Sequence, residues 1–349
     1  MSRIKTAEKP ITKGKESTKR SSKAKRRVKR VCIILVVTVL SYIVVSMAGS
    51  VVVFNIIFAR TNTVNAFELT YADIDQSKYP RREISFSSGQ NRLRGEVYPK
   101  QNAKGLIIVA NGMNCRLDRH LPEIMWFLDH GFCVLTFENT GVGDSEGSGS
   151  VGIAQARLDL DAAIGYAGRD EELSKLPLLL YGHSLGGYAV ATALGDSDEI
   201  RAAVCVSGFD SPNQNMHHSA KQYVGILADI QYPFMCLQNF FLFGDKSDAS
   251  AVGAINSTDT PVLITGGSSD DVVTDEISIL GRAGEITNPN AEIVEITEEY
   301  RGEHSTVWLS RESAKYLAET DHPTDKARAN VLDEDFMQMI LKFYEKAIG

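Results

Sequence analysis

The chain is short of the residue types that build metal cages and disulfide scaffolds. Its 349 residues include five cysteines, at positions 32, 115, 133, 205 and 236, with no CxxC pair and none at zinc spacing from a histidine. Neither a disulfide framework nor a metal site is expected, and the adjacent His217 and His218 read as solvated loop side chains. Positive charge is also scarce beyond the first thirty residues. Of 37 Lys+Arg, 13 lie in residues 1–30 against only Glu8 and Glu16, and the rest of the chain has 24 basic against 42 acidic residues, a net −18. Such a body lacks the basic footprint that phosphate binding needs, so nucleic acid is not expected as a partner. No internal repeat is present. With 43% hydrophobic and 23% charged residues, collagen, coiled coil and wholesale disorder are excluded.

The most conspicuous absence is charge between Val31 and Ala59, a run of 29 residues. As a helix it is about 43 Å long against a hydrocarbon core of about 30 Å, which predicts a transmembrane helix over 31–59. A cleaved signal peptide has a shorter apolar region; Ser46-Met47-Ala48 resembles a cleavage site, yet the apolar run continues past it. Residues 1–30, polar and basic without apolar period, are expected to be a disordered tail. The basic residues precede the span and only Arg60 closely follows it, so the positive-inside bias puts the N-terminus in the cytoplasm and the domain outside the cell membrane. Residues 60–80 read as a juxtamembrane spacer.

Strand-like and helix-like stretches then alternate. Glu83 to Phe86 and Leu93 to Tyr98 form a predicted hairpin. Further strands are expected at Gly105 to Ala110, Phe132 to Phe137, Leu176 to Tyr181, Ala202 to Ser207, Pro261 to Thr265 and Ala291 to Ile296. Helical patterns fill Leu117 to Asp129, Gly152 to Ala167 and Leu185 to Leu194. Unbroken apolar strands such as LIIVA, PLLLY and PVLIT suit a mostly parallel sheet covered on both faces, an α/β fold.

The string Leu178 to Gly187, LLLYGHSLGG, is a buried strand, a G-x-S-x-G pattern and the start of a helix, the context of a nucleophile elbow. Ser184 sits on a strained turn, where any side chain at Gly182 or Gly186 collides with the neighbouring chain. A serine hydroxyl needs a base, and the base needs an orienting carboxylate. Strand PVLIT is followed by Gly266-Gly267-Ser268-Ser269-Asp270-Asp271, in which Asp270 is preferred over its rival Asp271 as the acid. The last strand is followed by His304, taken as the base; His322 in DHPTD reads as turn chemistry, and His183 as a packing residue pointing away from the serine.

With these motifs in the order Ser, Asp, His, the chain from about residue 83 onward resembles the α/β-hydrolase family, and within it the serine aminopeptidase-like and monoacylglycerol-lipase-like group. Two further matches are Asn111-Gly112-Met113 after LIIVA, where relatives usually carry His-Gly, and Gly141-Val142-Gly143-Asp144-Ser145-Glu146-Gly147. The latter is no dinucleotide fingerprint, since Glu146 takes the third glycine position. The resemblance implies a hydrolase domain over 81–349, a cap insertion at about 210–257, and an oxyanion hole from the N–H groups of Met113 and Leu185. Apolar and aromatic cap residues, among them Ile226, Ile230, Met235, Leu237, Phe240 and Phe241, are expected either to line an acyl pocket or to pack the cap onto the core. The function implied is a membrane-anchored serine hydrolase cleaving a carboxylic ester, thioester or amide of a small or lipid-like acyl substrate through an acyl-enzyme, with no cofactor. The alternatives are a serine peptidase and a non-catalytic surface binding protein on the same fold.

Overall fold

The computed structural model describes residues 13–61 and 64–349. The chain divides between Val51 and Val52 into two compact units. The first consists of helix α1 (Lys13–Ile57), whose final residues belong to the second unit. From Lys23 to Ile57 this helix is long and apolar enough to cross a bilayer. It starts well ahead of Val31, so residues 13–30, expected to be disordered, are helical. Once the apolar segment supplies a nucleus, each added residue contributes one hydrogen bond, and the Lys, Arg and Ala of this stretch are good helix formers. Residues 1–12 of the expected tail lie outside the described residues.

In the second unit, eight strands among the described residues form one sheet: β1 (Arg82–Ser88), β2 (Asn91–Tyr98), β3 (Leu106–Ala110), β4 (Cys133–Phe137), β5 (Leu178–His183), β6 (Ile200–Val206), β7 (Val262–Gly267) and β8 (Ala291–Ile296). Their spatial order is β1-β2-β4-β3-β5-β6-β7-β8, antiparallel at β1/β2 and β2/β4 and parallel elsewhere. Alternate side chains enter two cores, as a pleated strand requires. In β3, Leu106, Ile108 and Ala110 join one core while Ile107 and Val109 join the other. The first core is closed by α3 (Gln155–Ala167), α4 (Leu185–Ala193) and α7 (Ala251–Asn256). The second is closed by α2 (Leu121–Asp129), α8 (Arg311–Glu319) and α10 (Glu334–Ile348). Burial on both faces is the reason these strands read as unbroken apolar runs.

The segment 60–80 is not a loose spacer. Arg60 donates to the main-chain carbonyls of Ser145 and Gly147 at 2.8 and 2.9 Å, Glu68 pairs with Arg119 at 3.0 Å, and Tyr79 is buried. The compact unit thus begins ahead of residue 81, because this polar stretch finds its charged partners on distant loops that local sequence does not reveal. Between β6 and β7 lie α5 (Pro212–Val224), α6 (Ile226–Phe243) and α7. Of these, α7 buries Val252 and Ile255 in the first core and is part of the body, leaving α5 and α6 as the cap.

Candidate active site

The order of the sheet reverses at β3, which has β4 on one side and β5 on the other. A crevice at the C-terminal strand ends beside such a reversal is where open α/β sheets hold their ligands. Ser184 stands there, between β5 and α4. Its backbone, at φ 56° and ψ −115°, is in a region non-glycine residues rarely occupy. Two bonds hold the turn: Ser184 N–H to the Val206 carbonyl at 2.9 Å, and Tyr188 N–H to the Ser184 carbonyl at 3.0 Å. A Cβ on Gly182 would overlap the Gly186 backbone, and one on Gly186 would overlap the Ala110 carbonyl. The glycines therefore permit both the turn and the close approach of α4 to β3.

His304 Nε2 lies 2.9 Å from Ser184 Oγ, and its Nδ1 lies 2.8 Å from Asp270 Oδ2. Three residues far apart in sequence form one hydrogen-bonded line. The other carboxylate oxygen of Asp270 accepts the N–H groups of Val272 and Val273 at 3.0 and 2.8 Å, which aims Oδ2 at the imidazole. The side chains of Asp270 and His304 are 5% and 13% exposed, whereas Asp271 and His322 lie on the surface. The loops that carry Asp270 and His304 are tied together by Ser269 N–H donating to the Gly302 carbonyl at 2.8 Å. Within the base loop, Arg301 pairs with Glu298 at 2.7 Å and Asp333 at 3.0 Å.

Leu185 is the first residue of α4, so its N–H is one of those with no acceptor inside the helix. Met113 lies on the loop after β3, which runs beside β5: a Cβ on Gly112 would lie 3.6 Å from the His183 carbonyl. The loop's root is fixed by buried Asn111, whose side-chain amide donates to the Phe137 carbonyl at 2.8 Å and thereby bridges to β4. Asn111 thus works as a strut at the position where relatives usually carry histidine. The Gly141–Gly147 turn is built around buried Glu138, which accepts Asp144 N–H at 2.7 Å.

His183 does more than pack. Its Nε2 lies 2.9 Å from the His304 carbonyl, and its ring centre lies 4.7 Å from that of Trp308 and 5.7 Å from that of His120. Burial, with the His304 and His120 rings adding to it, holds its pKa well below the ordinary 6.5. The ring is therefore neutral, with its proton on Nε2 facing the carbonyl. His120 is itself fully buried, with Nδ1 2.6 Å from Glu123 Oε1. The contact between His183 and His304 has no local sequence signal, since the two residues are 121 apart.

Met235 packs in the first core, as one of the two expectations had it, but the other named apolar residues of the cap depart from both. On α6 the buried residues are Ala228, Met235, Gln238 and Asn239, while Ile226, Leu227, Ile230, Leu237, Phe240 and Phe241 are exposed. The inward face meets polar groups: the Asn239 amide donates to Asn213 Oδ1 at 3.0 Å. Those exposed side chains therefore neither line an enclosed pocket nor pack onto the core.

Residues 101–239 match the family described as serine aminopeptidase, S33. The chain is 32% identical over 117 residues to the uncharacterized protein YfhR of Escherichia coli O157:H7, covering 32% of this chain and 40% of that protein. It is 26% identical over 135 residues to the polyketide transferase grgF of Penicillium sp., covering 38% of this chain and 46% of that protein. The matches thus span less than half the length of either relative. Among solved structures, the Pyrococcus furiosus esterase Pf2001 superposes with a TM-score of 0.58 at 16% identity, over 84% of this chain and all of that one. The sheet order, the strand–turn–helix around Ser184 and these likenesses agree: the chain has the α/β-hydrolase fold, and its residues 101–239 match the serine aminopeptidase, S33 family.

Proposed function

We propose that the protein is a membrane-anchored serine hydrolase that cleaves a carboxylic ester through an acyl-enzyme. The observation that carries this reading is the line Ser184 Oγ, His304, Asp270, with heavy-atom separations of 2.9 and 2.8 Å. Ser184 Oγ bonds to the ester carbonyl carbon as its proton passes to His304 Nε2. The leaving alkoxide takes that proton as the C–O bond breaks, and water repeats the sequence to free the acid and restore the serine. Asp270 holds the imidazole with Nδ1 protonated and stabilises the imidazolium formed on the way. The N–H groups of Met113 and Leu185 receive the negative charge on the carbonyl oxygen.

Esters are preferred over peptides because the domain follows a membrane-crossing run directly. The likeness to a protein named polyketide transferase supports a closely related outcome, in which an alcohol rather than water takes the acyl group from Ser184. The anchor is the part of residues 31–59 that precedes Phe54, which is buried with Phe58 in the first core, with the N-terminus in the cytoplasm and the hydrolase domain on the other side.

A fluorophosphonate probe tests the chemistry. It should label the wild-type chain and leave Ser184→Ala unlabelled, and the same substitution should lower aryl ester hydrolysis by about a thousandfold or more. His304→Ala should behave likewise, while His322→Ala keeps most of the activity. An unlabelled wild-type chain would mark it as a binding protein on a hydrolase fold. The uncleaved chain should stay with membranes in alkaline carbonate.

A further inference from the structure

Helix α6 is amphipathic in the reverse sense from a helix that covers a core in water. Its inward face holds Ala228, Met235 and two amides, Gln238 and Asn239, and its outward face is an apolar stripe. Ile226, Ile230, Leu237 and Phe241 recur at helical spacing along it, with Leu227 and Phe240 beside them; Ile226 and Phe241 are 74% and 72% exposed. No Lys or Arg interrupts the 18-residue helix. An exposed apolar surface of this extent marks a surface that another apolar phase covers.

We propose that this phase is the lipid bilayer, and that the outer face of α6 lies in the membrane interface as a second attachment besides the anchor. The proposal rests on the anchored reading above. Two features of the hydrolase unit select lipid over another protein. The apolar run ends without slack: Phe54 and Phe58 are buried in the first core, Ala59 bridges to Gly149, and Ser150 N–H donates to the Phe58 carbonyl at 3.0 Å. A body tethered so tightly to a membrane-crossing run is held at the lipid surface. The loop that holds the tether also reaches the cap, since Gly152, just beyond Gly149 and Ser150, packs against the ring of Phe243 at the C-terminal end of α6. The stripe therefore starts beside the point where the chain joins the body. An interfacial helix binds through such buried apolar and aromatic side chains.

The experiment uses the full chain reconstituted in phosphatidylcholine vesicles with or without bromine on the acyl chains, and two separate substitutions. Phe241→Trp reports on the stripe. Lys175→Trp reports on an exposed site ahead of the N-terminal end of β5, at the opposite end of the strand from the cap. The contributions of Trp126 and Trp308 are subtracted from wild type. Emission from Phe241→Trp should be blue-shifted and quenched about twofold or more by brominated lipid, with Lys175→Trp unaffected. Emission from Phe241→Trp that is no more quenched than that from Lys175→Trp, on a chain that resists carbonate, overturns the proposal while leaving the anchor standing. Release of the uncleaved chain by carbonate overturns the anchor reading instead. A blue shift without quenching, together with a dimeric mass in detergent, assigns the stripe to a second copy of the chain and also overturns the proposal.

Discussion

His183 donates its Nε2–H to the main-chain carbonyl of His304 over 2.9 Å, so the residue next to Ser184 holds the backbone of the residue whose ring faces the Ser184 hydroxyl. The elbow and the base loop are thereby one mechanical piece. Removing the donor releases the loop, and small misplacement of a catalytic group is costly. His183→Ala should lower kcat by about tenfold to a hundredfold with little change in KM. His183→Gln places an amide N–H near the lost Nε2–H and should recover most of the rate. Equal losses in the two variants would assign His183 to packing alone.

The same histidine sets a pH dependence of stability. In the folded chain its pKa is depressed by burial, while in the unfolded chain it titrates at its ordinary 6.5. Below that pH the unfolded chain takes up a proton that the folded chain refuses. The stabilisation is therefore complete above pH 6.5 and is lost as the pH falls, by at most about 1.4 kcal/mol per pH unit. Thermal melts of wild type and His183→Gln between pH 7.5 and 5, roughly a unit either side of the ordinary histidine pKa, should diverge on the acid side, wild type falling more steeply. Parallel curves would show that the ring gains a proton when folded.

Elements whose burial is decided locally were legible in the sequence. LIIVA, LLLY and VLIT are buried on both faces, so their apolar character needs no partner to be read. Their ends were less legible. The strand before the elbow was placed at Leu176 to Tyr181 but runs from Leu178 to His183, because its ladder with β6 continues to the pair His183–Val206. Asp270 and His304 could be singled out because each lies in the loop after a strand, and the structure brings both side chains into line with Ser184. What could not be read were contacts set by distant chain: Arg60 on the Ser145–Gly147 turn, His183 on the base loop, and the direction in which α6 turns its apolar side. Composition alone cannot distinguish a helix facing a core from one facing lipid, since both draw on the same residues.

Two adjacent carboxylates on one loop should differ sharply. Asp270 turns Oδ2 to His304 at 2.8 Å, while Asp271 is exposed. In the proposed mechanism an imidazolium forms in the transition state, and a buried carboxylate beside it lowers the barrier where a neutral amide cannot. Asp270→Asn should reduce aryl ester turnover by about a thousandfold or more, with Asp271→Asn near wild type. Matched melting temperatures guard the comparison. The reverse ranking would place the orienting acid one residue later.

Gly186→Ala tests the elbow by sterics rather than charge. A Cβ there overlaps the Ala110 carbonyl at the end of β3, the strand that leads into the loop carrying Met113. Relief requires α4 to move away from β3, which separates the N–H of Leu185 from that of Met113. A close clash with backbone in a packed interior costs about 1–3 kcal/mol or more in stability. Turnover should fall further than stability, by about a hundredfold or more, because the two donors proposed for the developing oxyanion are no longer set for one atom. Gly253→Ala, on exposed α7 surface where a Cβ meets only the Ser250 side chain at 3.3 Å, should leave both nearly unchanged. Fluorophosphonate labelling rates and melts of the two variants provide the readout. A Gly186→Ala chain that labels at the wild-type rate would mean that α4 and β3 yield to one another without disturbing the site.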